Sequence, residues 1–176
     1  MIIGILGRSR AGKDTVAKLI TMNSVTSWDI VRLAQPIKDA VCALYDIPRE
    51  HVENHEKELV IPDHGITPRQ AMQDITENYM RKHGQGFFSR RVFNKYSLTD
   101  NIIIPDVRFR ADVEEIKSRG GFVIKVVRTE NAITYTCEHT VDTAPCDFSV
   151  LNDGTLNELE EKVTRIMDVI CQKSQK

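Results

Sequence analysis

Gly7, Gly12 and Lys13 stand at the spacing Gly-x4-Gly-Lys inside Gly7-Arg8-Ser9-Arg10-Ala11-Gly12-Lys13-Asp14-Thr15. The apolar run Ile2 to Leu6 precedes this stretch, and Val16-Ala17-Lys18-Leu19-Ile20, with helical spacing, follows it. A buried strand, a glycine-bounded loop and a helix beginning at Lys13 make a phosphate-binding loop. Its successive backbone N–H groups converge on an anion, and the helix N-terminus adds partial positive charge. Lys13 is expected to reach the β- and γ-phosphates of a nucleotide, which makes it a catalytic candidate. Ser or Thr normally follows the lysine of such loops, but here Asp14 does, so Thr15 is the expected hydroxyl on a Mg2+ ion. Asp14 suits the positive end of the helix, and its charge favours contact with metal or water over contact with phosphate. Gly7, Arg8, Ser9, Arg10, Ala11, Gly12, Lys13, Asp14 and Thr15 together form the expected nucleotide site.

A second segment, Ile102-Ile103-Ile104-Pro105-Asp106-Val107-Arg108, ends a β-branched run in an acid and a base. The carboxyl end of a strand is where α/β proteins bind ligands. Asp106 is expected to touch Mg2+ through water or to orient an acceptor, and Arg108 to grip a phosphate with both arms of its guanidinium. A structural Asp–Arg pair is the alternative.

Further basic and aromatic residues stand near predicted helix starts and strand ends. Lys38 opens the helix after the second strand and could reach an acceptor phosphate, or lie solvated on the helix face. Arg69 sits in a first helical turn, against the preference of the helix dipole, which calls for an anion or carboxylate partner. Gln73 lies one turn later on the same face and could read a base edge. In Phe87-Phe88-Ser89-Arg90-Arg91, Phe88 could stack on a base; Phe87, Phe88 and Phe93 could equally be core. Arg128 follows the strand ending Val126-Val127 and is a candidate for the ATP adenine or phosphates. His139 with Asp142 could make a lid contact, and Cys137, Glu138, His139 and Cys146 fit no common zinc spacing.

These residues need a scaffold, and the apolar pattern supplies one. Strands are expected at Ile2 to Leu6, Asp29 to Leu33, Asn101 to Pro105, Phe122 to Val127 and Phe148 to Leu151, short and rich in Ile and Val as buried parallel strands are. Helices are expected at Lys13 to Met22, Pro36 to Tyr45, Pro68 to Lys82, Phe87 to Tyr96, Phe109 to Arg119 and Leu156 to Cys171. Thr67-Pro68 reads as an N-cap and first turn, Gly120-Gly121 as a helix stop, and Asn152-Asp153-Gly154-Thr155 as a turn and N-cap. Alternating strands and helices predict an α/β, three-layer fold with a parallel five-stranded sheet flanked by helices. The stretch from about 35 to 97 shows helical pattern without a clear strand and reads as a helical substrate-binding insertion in a single domain of residues 1–176, with a lid at about 129 to 146.

Bulk properties exclude other classes. A net charge of −1 over 176 residues argues against binding to a nucleic-acid polymer. No run approaches the ~20 apolar residues of a membrane span, and the first residues read as a core strand rather than a leader. Four cysteines without a Cys-x-x-Cys pair read as free thiols, and the expected compartment is the cytoplasm, that of the host if the chain is viral. The sequence allows a homodimer, but no heptad or exposed apolar stripe specifies one.

In order along the chain, Gly-x4-Gly-Lys-Asp-Thr (7–15), Leu-Ala-x-Pro-Ile-Lys-Asp-Ala (33–40), Arg-x-x-Met-Gln (69–73), Pro-Asp-x-Arg (105–108), Val-Ile-Lys-Val-Val-Arg (123–128) and Asn-Asp-Gly-Thr-Leu (152–156) resemble the phage- and large-virus-type deoxynucleoside monophosphate kinases. The resemblance covers nearly the whole length. It implies a P-loop kinase fold, ATP as donor, and a deoxynucleotide acceptor near Arg69, Gln73, Phe88, Asp106, Arg108 and Asp112. Asp112 stands where the family tends to have Glu, and Phe88 where an aromatic such as Trp is expected; these departures bear on base specificity more than on chemistry. The expected reaction is ATP + dNMP → ADP + dNDP, with small-molecule nucleotides as partners. Three alternatives use the same loop: a kinase of another phosphorylated acceptor (of the phosphomevalonate or dephospho-coenzyme A type), an NTPase switch or partner-binding module, and a catalytically dead nucleotide-binding protein.

Overall fold

Runs of β-branched residues too short for helices become strands, and the amphipathic segments between them become their covers. In the computed structural model, which describes residues 1–53, 55–97, 100–129 and 143–174, the chain divides into two compact units. One comprises Met1–Arg32 and Ser89–Lys176, the other Leu33–Phe88.

The first unit holds a five-stranded sheet, with β1 (Ile2–Leu6), β2 (Asp29–Ile30), β3 (Ile102–Val107), β4 (Phe122–Val127) and β5 (Phe148–Leu151) in the order β2-β3-β1-β4-β5. Every pairing is parallel. The chain therefore leaves the central β1 for the edge strand β2, returns through β3 beside β1, and then crosses to the other side for β4 and β5. The carboxyl ends beside β1 form the switch point where such sheets take ligands. In register, Leu6 faces Val107 of β3 on one flank and Lys125 of β4 on the other. The loops after β1, β3 and β4 thus leave the sheet side by side.

Side chains of β1 alternate between two covered faces. Ile3 and Ile5 join Val16, Leu19 and Ile20 of α1 (Lys13–Met22) with Leu159, Val163 and Ile170 of the C-terminal helix Leu156–Ser174. On the opposite face Gly4 lets a further helix, Arg110–Ser118, approach closely. A Cβ at Gly4 would lie 2.5 Å from Ile116 Cδ1. Helix, sheet and helix are the three layers expected, and the α/β reading holds.

The buried-strand expectation holds for β1 and β3, and for most of β4, but not at the sheet's edges. Only Asp29 and Ile30 of the expected Asp29 to Leu33 strand pair with β3, and both are exposed. β5 buries Val150 and leaves Ser149 and Leu151 exposed. An edge strand has one partner, so an apolar run there does not guarantee burial.

The second unit contains α2 (Gln35–Tyr45) and α3 (Pro68–His83), with 3-10 turns at Arg49–Val52 and Glu56–Glu58. Its small core is Val41, Val52 and Ala71, flanked by Tyr45, Ile47, Ile66 and Met72. Thr67 caps α3 as its sequence indicated: its hydroxyl accepts the Gln70 N–H at 3.2 Å, while Gln70 Oε1 accepts the Thr67 N–H at 2.8 Å. The chain then runs into α4 (Phe87–Phe93), shorter than the expected Phe87 to Tyr96. Its end tightens into a 3-10 turn, where the Lys95 N–H donates to the Val92 carbonyl at 2.9 Å. The remaining two helices of the first unit, α5 (Arg110–Ser118) and α6 (Leu156–Ser174), complete the described elements. Gly120, at φ 73°, stops α5 as predicted.

Ile103 is fully buried in β3, inside the main core. Ile103→Ala is expected to cost about 2–5 kcal/mol in urea unfolding; a loss under about 1 kcal/mol would place the core's weight elsewhere.

Candidate functional site

The loop Gly7 to Gly12 joins β1 to α1 through two residues in left-handed conformations, Arg10 at φ 61° and the N-cap Gly12 at φ 98°. The Ala11 N–H donates to the Arg8 carbonyl at 3.2 Å, closing a turn. The glycines are needed for space as well. A Cβ on Gly7 would sit 2.6 Å from the Val126 carbonyl oxygen, and one on Gly12 would sit 2.3 Å from Asn152 Nδ2. The Lys13 ammonium lies back over the loop, donating to the carbonyls of Gly7 and Arg8 at 2.8 Å each. A cationic group and the N-terminus of a ten-residue helix therefore converge at the carboxyl end of the central strand.

The Asn152 side-chain amide donates to the Ala11 carbonyl at 2.9 Å, and its backbone N–H to the Val127 carbonyl at 2.8 Å. Asn152 thus props the loop from the far side of β4, a role its sequence neighbourhood, read as a turn, did not reveal. Next to it Asp153 accepts the Thr129 N–H at 2.9 Å and also the Thr129 hydroxyl. These bonds pull its carboxyl below the usual range, with the nearby Arg128 charge adding to them. Arg128 itself is exposed, directly after β4.

Asp14 is exposed at the start of α1, and its carboxylate takes Arg32 Nη2 at 2.6 Å. Arg32 follows β2 and was not singled out in the sequence. Its signal would have been a base at a strand's carboxyl end. This pairing offsets part of the negative charge that Asp14 brings beside the loop. Thr15 is half-buried one residue further on.

Asp106 and Arg108 lie where β3 ends beside β1, with Asp106 half-buried and Arg108 exposed. Asp112 is 2% exposed. Its Oδ2 accepts the backbone N–H of Phe109 at 3.1 Å and of Arg108 at 3.4 Å, and its carboxylate also takes the Ser89 hydroxyl. Burial nevertheless outweighs these bonds and pushes the Asp112 pKa up to about 6, with the Asp106 charge acting in the same direction. The structure thus brings the loop residues 7–15, Asp106, Arg108 and Asp112 to one edge of one sheet.

The other candidates belong to the second unit. The Lys38 ammonium is paired with Glu53 at 2.8 Å, and Arg49 shares that carboxylate at 3.2 Å. These cations hold the Glu53 carboxyl below its usual range against the opposing effect of its burial. Arg69 has the carboxylate partner its first-turn position called for, Glu58 at 2.6 Å. Gln73 is exposed. Phe88 is only 9% exposed, edge-on to Phe87 at 5.1 Å between ring centres, whereas Tyr79 in the same cluster is 47% exposed. The His139, Asp142 and Cys137 readings and most of the expected lid lie outside the described residues. Among the described residues no helix is long and apolar enough to cross a membrane, and no cluster of metal-ligating side chains occurs.

A parallel sheet with a glycine loop and lysine at its switch point is the arrangement of a nucleotide-binding α/β protein, and comparison with known proteins gives the enzyme class. The deoxynucleotide monophosphate kinase profile matches residues 63–163, and the chain belongs to that family. The match includes Arg69, Gln73, Phe88, Asp106, Arg108 and Asp112 but not the glycine loop, so loop and family are independent observations. A protein of Acanthamoeba polyphaga mimivirus, named "Putative deoxynucleotide monophosphate kinase", is 24% identical over 98% of this chain and 98% of its own. TT1252 from Thermus thermophilus has a similar fold at 14% identity, with a TM-score of 0.51 and 96% of each chain covered. A mutant APS kinase of Mycobacterium tuberculosis aligns over 95% of this chain and 96% of its own, with a TM-score of 0.49 and 14% identity. The protein is accordingly a phosphotransferase of the nucleoside monophosphate kinase type, and a kinase of this family draws its phosphoryl group from ATP.

Two predictions follow from these contacts. Asn152→Ala removes the prop under Ala11 and is expected to weaken ATP binding about tenfold in calorimetry, with far-UV circular dichroism unchanged; unchanged affinity would make the contact incidental. Because Asp112 binds its proton more tightly folded than unfolded, its contribution to stability is greatest below its ordinary pKa of 3.8 and is lost as pH rises through about 6. The Tm of the wild type relative to Asp112→Asn should therefore fall across that window, and a pH-independent difference would contradict the raised pKa.

Proposed function

We propose that this protein transfers the γ-phosphoryl group of ATP to a deoxynucleoside monophosphate. One observation carries the reading. The sheet edge that presents Lys13 and the phosphate-binding loop also presents Asp106 and Arg108 from the neighbouring strand β3, inside the span that matches the family. Donor and acceptor groups can thus be served by adjacent loops.

The triphosphate suits the loop for physical reasons. Left-handed Arg10 and Gly12 turn consecutive N–H groups to one side, and the crowding at Gly7 and Gly12 leaves no room for side chains there. Arg8, Ser9 and Ala11 complete the loop, and Arg128, beside the β4 end, is assigned to the donor nucleotide. Lys13 exchanges its carbonyl partners for the β- and γ-phosphate oxygens. An ionised oxygen of the acceptor phosphate attacks the γ-phosphorus as the bond to the β,γ-bridging oxygen breaks, and ADP leaves with that electron pair. The nucleophile is already ionised, so no strong general base is needed, and catalysis is alignment plus charge neutralisation. Lys13 offsets charge on the donor side, and Arg108 holds the acceptor phosphate in line. Mg2+, if bound through the Thr15 hydroxyl and through water to Asp106, would supply further neutralisation of the phosphates.

Acceptor recognition is assigned to Arg69, Gln73, Phe88 and Lys38 in the inserted helical segment, and to Asp112 through its hold on the Arg108 backbone. For Lys38 and Arg69, whose ammonium and guanidinium are paired with Glu53 and Glu58, acceptor binding would be an exchange of anions. The chain would work as one catalytic domain on soluble nucleotides in the cytoplasm, as a monomer or homodimer.

An ADP-release assay over deoxynucleoside and ribonucleoside monophosphates tests this. Deoxynucleotide-dependent ADP release is expected, abolished by Lys13→Ala. Arg108→Ala should reduce kcat/KM for the acceptor by about a hundredfold or more while leaving ATP affinity nearly intact. Slow ATP hydrolysis indifferent to every monophosphate would refute the kinase reading for these acceptors.

A further inference from the structure

Among the described residues two polar side chains are buried, Ser89 at 0% exposure and Asp112 at 2%, and they are bonded to each other. We propose that this pair is a positioning device for the acceptor side of the reaction. Ser89 fixes the Asp112 carboxylate, and Asp112 fixes the backbone of Arg108 and Phe109. The pair thereby sets where Asp106 and Arg108 stand. The inference rests on the acceptor role given above to Arg108.

Capping α5 does not by itself call for this arrangement. The chain caps two other helices with a threonine and a side chain three residues on, Thr67 with Gln70 and Thr155 with Glu158; Thr67 is half-buried and the other three are exposed. At α5 the carboxylate three residues into the turn is instead sunk in the interior, where the charged form is disfavoured. It is then given a third donor from a different element, the Ser89 hydroxyl on α4. An exposed carboxylate would cap the helix at lower cost. What burial adds is rigidity: a desolvated acceptor with three donors has one geometry, and two of those donors are the consecutive N–H groups of Arg108 and Phe109.

The position of Ser89 gives the pair a second consequence. Ser89 is the first residue of the chain's return from the Leu33–Phe88 unit. It directly follows Phe88, assigned above to the acceptor base. One hydrogen bond therefore joins the start of the return segment to the loop that carries the phosphate-handling Arg108. Neither side chain touches substrate in this scheme, since both are shut off from solvent. Both act through Arg108.

Steady-state kinetics of the full chain with ATP and its best deoxynucleotide acceptor tests the pair. Ser89→Ala is expected to raise the acceptor KM about tenfold while the ATP KM stays within about twofold, a split that general loosening of the fold would not produce. Asp112→Asn should act in the same direction. In its background Ser89→Ala should add little, because the two changes remove one interaction. If Ser89→Ala does not fold, Ser89→Cys, of similar volume and a weaker donor, takes its place. An acceptor KM that stays put, equal movement of both KM values, or strict additivity of the two variants overturns the inference while leaving the kinase reading in place. A wild-type chain that turns over no deoxynucleotide at all overturns both.

Discussion

Two hydrogen bonds of 2.8 Å, from the Lys13 ammonium to the carbonyls of Gly7 and Arg8, express the constraint on which the rest of the structure depends. In the reading proposed above, a backbone that turns its N–H groups toward an anion turns some carbonyls away from it, and two such carbonyls hold the lysine. Such a loop needs residues that tolerate a left-handed backbone and neighbours that come very close. Both demands are met at Gly12, which takes a φ of 98° and has Asn152 pressed against it. The sheet is arranged around the same point. β1 is fully buried because it has a strand on each side and helices over both faces, which holds its carboxyl end still, and the packing of Val16, Leu19 and Ile20 aims the α1 N-terminus there.

Charge in this region is managed locally rather than by the chain's overall balance. Asp14, in the place where these loops usually carry a hydroxyl, is matched by Arg32 from the end of β2. Lys38 and Arg69 are each held by a carboxylate of their own unit. Of the three pairs only Arg32 with Asp14 is exposed on both sides and adds little to stability; the Lys38 and Arg69 side chains are half-buried. In the acceptor role proposed above, a phosphate would have to displace the paired carboxylate to reach either cation. Asp112 stands apart, because its partners are neutral donors and its environment is dry. It holds backbone rather than cancelling charge.

The strongest signals in the sequence were those where a local rule coincides with a tertiary need. The glycine spacing, the cap at Thr67 and the stop at Gly120 are local geometry, and each appears where the residues placed it. The edge strands were read less well. The expected run Asp29 to Leu33 carries Ile, Val and Leu, but β2 has only one partner strand and neither of its two residues is buried. The apolar pattern of Phe87 to Tyr96 does not distinguish a last helical turn from the 3-10 turn in which α4 ends. Arg69's need for a carboxylate was legible from its place in the first turn, but that Glu58 supplies it was not.

By itself the sequence determined the chemistry-bearing loop, the alternation of strands and helices, and the acid and base at the end of β3, because each depends on residues adjacent in the chain. Only the tertiary structure decided that Asn152 braces Ala11 from 141 residues away, that Arg32 faces Asp14, and that Ser89 and Asp112 meet in the interior. The reason is physical. A hydrogen bond between distant segments depends on strand order and on how closely helices approach the sheet, and single-residue preferences do not encode either.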